Sequence, residues 1–197
     1  LLKGADGSSV TTGDDIYGSS FTTNTKDTYN IINGEAKAVR SDSKTESLDI
    51  YGAKVKSTSF TKYYYTDGGE DPATLSPEYL DAEGKVKRGL LKKAEGGGTS
   101  EGEDIFGGSF ESLTTNTYAI FEGKAKVLSS KTVTNTLSID GATSTTTSYV
   151  NYKYSTADNP YTDPNTGKGG IGVLIGADGS TEGKGEDLFG NIYITMS

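Results

Sequence analysis

The chain has no cysteine, no histidine and no tryptophan, one methionine and only four prolines among 197 residues. Without cysteine there is no disulfide, no thiolate nucleophile and no cysteine-ligated zinc. Without histidine there is no Ser-His-Asp arrangement and no imidazole metal ligand. Carboxylate chemistry survives both absences, because a glycosidase needs only two acids. No apolar run approaches the roughly 20 residues of a membrane-spanning helix. Positive charge is scarce: 19 Lys and Arg stand against 27 Asp and Glu, for a net charge of -8 and a pI near 4.6. Nucleic acid demands a basic patch and anionic lipid attracts the opposite sign, so neither is an expected partner. Residue 1 is Leu and no signal peptide is visible, which leads us to expect a processed or trimmed chain.

What the chain has instead is glycine (27), tyrosine (13), serine and threonine, with an apolar fraction of 32%. Thr and Tyr suit a pleated surface and Gly interrupts helices, so the composition favours strands and turns. Such a cysteine-free, acidic, Thr/Gly-rich make-up leads us to expect an extracellular or cell-surface location.

The organising feature is a repeat. Residues 1–65 align without a gap on 90–154, at an offset of 89, with 28 of the 65 positions identical. Leu1-Leu2-Lys3 matches Leu90-Leu91-Lys92, Phe21 matches Phe110, and Tyr63 and Tyr65 match Tyr152 and Tyr154. A partial third copy follows at an offset of 172: Gly176-Ala177-Asp178-Gly179 repeats Gly4-Ala5-Asp6-Gly7, and Tyr193 falls on Phe21. An internal duplication explains this. The expected organisation is a first unit over 1–88 (head 1–25, body 26–65, linker 66–88), a second over 89–172, and a partial third over 173–197. The expected fold is all-β, with tandem antiparallel units of sandwich or meander type.

Within each head we expect a short apolar strand (Leu1-Leu2, Leu90-Leu91, Val173-Leu174-Ile175), a Gly- and acid-rich loop, then a strand from Ile16 to Phe21 and its equivalents. In the bodies, Asn33-Gly34 is a strong hairpin signal. A two-residue turn there sets Ile31 opposite Ala36 and Tyr29 opposite Ala38; Glu122-Gly123 does the same for Ile120 with Ala125 and Tyr118 with Val127. A second hairpin, around Tyr51-Gly52 and Asp140-Gly141, is expected to set Ile50 opposite Ala53 and Leu48 opposite Val55, and Ile139 opposite Ala142 and Leu137 opposite Ser144. The linkers, 66–88 with a short helical turn near Glu78-Tyr79-Leu80 and 155–172, read as surface loops.

One hexapeptide recurs in all three heads: Gly13-Asp14-Asp15-Ile16-Tyr17-Gly18, Gly102-Glu103-Asp104-Ile105-Phe106-Gly107 and Gly185-Glu186-Asp187-Leu188-Phe189-Gly190. It resembles the second half of the calcium-binding nonapeptide of RTX proteins, although here the motifs lie some ninety residues apart rather than nine. The resemblance implies calcium held by Asp14 and Asp15, Glu103 and Asp104, Glu186 and Asp187, since carboxylates are hard oxygen donors and glycines let the backbone wrap a cation. Asp6, Glu95 and Asp178 complete the acidic set of each head. Asp163-Pro164-Asn165-Thr166-Gly167 is a second calcium candidate, with a proline turn as its ordinary reading. Without a ligand, the same acids are solvated turn residues. Paired acids could also serve a glycosidase, but three equivalent sites in one chain do not suit an enzyme, and we expect none.

Three heads serve two bodies. The unmatched head either caps the sheet or pairs with a neighbouring molecule through an exposed strand, and head-to-tail pairing of that kind yields a filament. The expected function is therefore a secreted structural protein of a surface, matrix or filament, assembling with itself through terminal strands. The alternative is a carbohydrate-binding or adhesin module using tyrosines such as Tyr64, which alternation places opposite Tyr63 and Tyr65.

Overall fold

The computed structural model describes residues 2–163, 167 and 169–197. The strands are β1 (Asp6–Asp14), β2 (Ser20–Ile32), β3 (Glu35–Leu48), β4 (Lys54–Tyr65), β5 (Leu91–Glu103), β6 (Ser109–Phe121), β7 (Lys124–Leu137), β8 (Thr143–Tyr154), β9 (Tyr161–Thr162), β10 (Gly169–Gly170), β11 (Leu174–Glu186) and β12 (Ile192–Met196). Ten of them form one antiparallel meander in the order β1-β2-β3-β4-β5-β6-β7-β8-β11-β12, and β9 and β10 form a separate two-stranded ribbon. Of the two expected arrangements, the strands thus form the meander; no second sheet packs face to face on it among the described residues. β6, β7 and β8 begin and end 89 residues after β2, β3 and β4, and β11 spans the positions 83 residues after β5.

A single layer cannot bury a conventional core. The accessible surface is 13013 Å², where a compact chain of this mass would expose about 8,900 Å². Among the described residues the buried apolar side chains are Leu91 and Ala94, at the linker end of the central strand β5. The sheet is held instead by its ladders and by how its two faces are divided. Residues directly opposite on paired strands share a face. On one face, the row Gly13, Phe21, Ser47, Val55, Gly102, Phe110, Thr136, Ser144, Gly185 and Tyr193 runs across all ten strands. The rows beside it are mostly Ser, Thr and Gly, and their hydroxyls pair across strands, as in Thr23–Thr45 at 2.9 Å, Ser57–Ser100 at 2.9 Å and Thr114–Thr132 at 2.9 Å. Apart from Asp27, and Lys92 at a bulge, the charged residues of these strands lie on the other face. There Lys54, Lys56 and Lys62 of β4 stand directly opposite Glu103, Glu101 and Glu95 of β5, the opposite-charge pairing that favours strand association.

The Gly- and acid-rich segments are strands, not the loops expected. The hydroxyl face explains how glycine is tolerated there. A Cβ on Gly13, Gly102 or Gly185 would lie only 2.4, 2.3 or 2.1 Å from the ring of Phe21, Phe110 or Tyr193. Each ring lies over the glycine opposite and supplies the packing the glycine lacks. At Gly98 the obstacle is backbone, since a Cβ there would meet the Thr58 carbonyl oxygen at 2.2 Å.

The Asn33-Gly34 and Glu122-Gly123 turns set the expected pairs, Tyr29 with Ala38, Ile31 with Ala36, Tyr118 with Val127 and Ile120 with Ala125. Both central residues have positive φ, 53° and 83° in the first turn, the two-residue geometry that matches strand twist. The second hairpin departs from expectation. Leu48 pairs with Lys54 and Ser47 with Val55, and Leu137 pairs with Thr143 rather than Ser144. The connection is a three-residue loop closed between Asp49 and Ala53, with Gly52 at φ 93°. The extra residue moves Leu48 to the charged face and leaves Val55 on the hydroxyl face, since a slip of one flips every side chain.

The linkers fold back at the opposite end of the sheet. Short 3-10 turns at Pro72–Thr74 and Pro77–Tyr79 include the expected helical turn. Tyr79 donates its hydroxyl to the Leu91 carbonyl at 3.1 Å, Lys92 meets Glu70 at 2.5 Å, and Asn33 donates to the Arg88 carbonyl at 3.0 Å.

Candidate functional site

The repeated hexapeptides form hairpin loops, not the strand expected from Ile16 onward. Asp15 N–H donates to the Ser19 carbonyl at 2.9 Å and Gly18 N–H to the Asp15 carbonyl at 3.2 Å, so Ile16, Tyr17 and Gly18 make a three-residue loop. The Asp15 carboxylate reaches over it, one oxygen accepting from the amides of Tyr17 at 2.8 Å and Ser19 at 2.9 Å. Asp104 does the same with Phe106 and Gly108, and Asp187 with Phe189 and Asn191. This is the Asx-turn logic that makes Asp a turn former. The amides of Ser19 and Tyr17 hold Asp15 below the usual carboxylate range. Asp187 is lowered in the same way, first by the side-chain amide of Asn191.

Asp49 and Asp81 build the same loop around Gly52 and Gly84, and Ser138 takes the aspartate's place before Gly141. The spacing Asp-x-x-Gly would have revealed Asp49 and Asp81. The shorter turn expected at Tyr51-Gly52 concealed the first of them.

The acids preceding these loops are separate from them. Asp14, Glu103 and Glu186 belong to β1, β5 and β11, at the charged-face positions opposite Ser20, Ser109 and Ile192. The sheet therefore places Asp14 and Asp15, and each equivalent pair, in different roles. No group of three or more metal-ligating side chains occurs among the described residues. In the second calcium candidate, Asp163 accepts the Gly167 amide at 2.8 Å through its carbonyl; Pro164, Asn165 and Thr166 lie outside the described residues.

Five of these loops lie at one end of the sheet, joining β1 to β2, β3 to β4, β5 to β6, β7 to β8 and β11 to β12. Each presents an aliphatic residue and, in all but one, an aromatic: Ile16-Tyr17, Ile50-Tyr51, Ile105-Phe106, Ile139-Asp140 and Leu188-Phe189. These tips are among the most exposed apolar side chains of the chain, reaching 90% for Ile16 and 86% for Phe189. The loops recur every second strand, at intervals of about 10 Å. Aliphatic side chains reach toward the preceding loop: a Cβ on Gly52 would meet Ile105 at 3.5 Å, and one on Gly141 would meet Leu188 at 3.8 Å.

Two further surfaces stand out. Both edges of the sheet are uncovered among the described residues. The loop pairs Asp15–Ser19 and Asp187–Asn191 fix the ladder phase, so Gly7, Ser9, Thr11 and Gly13 bond to β2, and Tyr193 and Thr195 to β11. The backbone groups of Ser8, Val10 and Thr12, and of Ile192, Ile194 and Met196, therefore point outward. The charged face also carries Phe60, Tyr64 and Tyr149 under cations. Arg40 lies 5.2 Å from the Phe60 ring, Lys62 and Lys93 lie 4.9 and 5.4 Å from that of Tyr64, and Lys131 lies 5.3 Å from that of Tyr149. Tyr64 indeed faces away from Tyr63 and Tyr65, and its hydroxyl donates to Glu95 at 2.8 Å. Comparison with protein-family models, curated proteins and solved structures yields no match for this chain.

Proposed function

We propose that this chain is a structural subunit of an extracellular or cell-surface assembly, in which copies join edge to edge by strand pairing. It is built of tandem repeat units over 1–88 and 89–172 and a partial third over 173–197. The observation that carries the reading is the match between the two free edges. With ten strands in alternation, β12 runs antiparallel to the β1 of a following copy. Residues with outward backbone groups lie on the charged face at both edges, so joining Ile194 to Val10 as a hydrogen-bonded pair keeps the charged and hydroxyl faces continuous from copy to copy. Both strands present apolar side chains there, with Val10 at 67% and Ile194 at 62% exposure, and exposed edges of this kind recruit further strands.

Light scattering tests the reading. A molar mass growing well beyond the 20.7 kDa of one chain is the expected result in millimolar calcium, and repetition in chelator determines whether calcium supports the assembly. Val10→Pro and Ile194→Pro each remove one outward N–H without touching the internal ladder, and either is expected to stop growth. A steady monomer in all conditions sinks the proposal. A second reading, a glycan-binding module, is favoured by the shallow trough across β1–β4 in which Phe60 lies beside Asn24 and Asp42. A sugar ring stacking there would displace the Arg40 guanidinium, so glycan binding would weaken in Phe60→Ala.

A further inference from the structure

The edges explain how a sheet can grow, but not the row of apolar loop tips at its end. The four aromatic tips are 69–86% exposed, and their rings leave about 600 Å² of apolar surface open at roughly 200 Å² each. That alone reaches the top of the roughly 300–600 Å² of the largest apolar patch on a typical monomer. With the five aliphatic tips added, it reaches about the 800 Å² per partner of a stable interface.

We infer that this row docks on the same row of a second copy, the two sheets meeting end to end about a two-fold axis through the middle loop, 104–108. The inference is independent of edge pairing and uses a different surface. A two-fold axis reverses one row against the other, so the first loop meets the fifth, the second meets the fourth, and the third meets itself. The reversal also accounts for the one polar tip. Asp140, in the fourth loop, comes opposite Tyr51 in the second, whose hydroxyl can donate to its carboxylate. A lipid surface is the poorer occupant. The tips carry no Lys or Arg, an aspartate or serine closes every loop, and the net charge is -8, all of which oppose contact with anionic headgroups.

The absence of native cysteine makes the test direct. Phe106→Cys places one thiol at the middle tip, and Leu113→Cys places one on the exposed charged face of β6. Under mild oxidation, Phe106→Cys is expected to form a disulfide-linked dimer about tenfold faster than Leu113→Cys, because paired loops hold the thiols at high effective concentration. Tyr17→Cys mixed with Phe189→Cys is expected to give a heterodimer faster than either gives a homodimer. Equal rates for Phe106→Cys and Leu113→Cys overturn the inference, as does a mixture that shows no preference for the heterodimer. Flotation with phosphatidylcholine vesicles separates the other occupant: protein that floats with vesicles while Phe106→Cys fails to cross-link assigns the row to lipid and also overturns it. Edge proline variants leave the cross-linking pattern intact, so failure of the edge reading and failure of this one are read separately.

Discussion

Replacing Thr66 with valine should unlatch the first linker from the sheet. Thr66 and Ser155 are, among the described residues, the two side chains with no solvent exposure, and they sit 89 residues apart at the ends of β4 and β8. The Thr66 hydroxyl donates to the Lys87 carbonyl at 2.5 Å and accepts from the Leu90 amide at 3.0 Å. Ser155 does the same with the Gly170 carbonyl at 2.7 Å and the Val173 amide at 2.9 Å. Valine keeps the shape and deletes the hydroxyl. It forfeits two neutral hydrogen bonds and strands a shielded carbonyl and a shielded amide, together about 3 kcal/mol. Serine keeps both bonds, as position 155 illustrates, and loses one methyl, for about 1 kcal/mol. Urea unfolding should show a midpoint lower by about 1 M for Thr66→Val at an m-value near 3 kcal/mol/M. Amide exchange at Leu90 should accelerate even if the linker opens locally before the sheet does. A Thr66→Val protein within about 0.5 kcal/mol of the parent, the scatter of surface substitutions, or a Thr66→Ser protein equally destabilised, would refute the latch.

The other expectations are briefer. Glu70 is held down to about 2, chiefly by its hydrogen bond from Lys92 and also by the amides of Asp67 and Gly68. A carboxylate lowered on folding stabilises above its unfolded value, near 4.3, and that contribution fades as pH falls toward 2. Protection of the Asp67 and Gly68 amides, taken against intrinsic exchange at each pH, should therefore fall across this window in the parent, and a Glu70→Gln protein showing the same acid step would disprove the assignment. Gly102→Ala should displace the Phe110 ring and cost about 1–3 kcal/mol by overpacking, measured by urea unfolding. Gly4→Ala, with nothing within 4 Å, should be close to neutral, and equal effects of the two would count against ring-over-glycine packing. Asp104→Ala removes both loop-capping hydrogen bonds and should raise amide exchange at Phe106 and Gly108, whereas Glu103→Ala, one residue away, should leave those amides unchanged.

Much of the strand layout was legible because local chemistry enforces it. Asn33-Gly34 and Glu122-Gly123 fix two hairpins by positive φ, and their registers follow. The second hairpin carries one residue more than its sequence suggests, because Tyr51-Gly52 imitates a two-residue turn. What closes the loop is the Asp49 carboxylate, whose partners two and four residues on are visible only as a spacing. The heads resemble loops in sequence because glycine in a strand normally weakens it. The ring that offsets the loss, Phe110 for Gly102, comes from the neighbouring strand. Asp15, Asp104 and Asp187 cap loops, while Asp14, Glu103 and Glu186 are strand residues on the charged face.

By itself the sequence determined the all-β class and the position of most turns, because both rest on contacts between residues close in the chain: alternation, positive φ and local carboxylate–amide bonds. Only the tertiary structure decided that the strands form one open layer, that charge gathers on one face and hydroxyls on the other, and that five loop tips align at one end. Those depend on register carried across ten strands, where a single residue more or less in any loop would reverse every side chain beyond it.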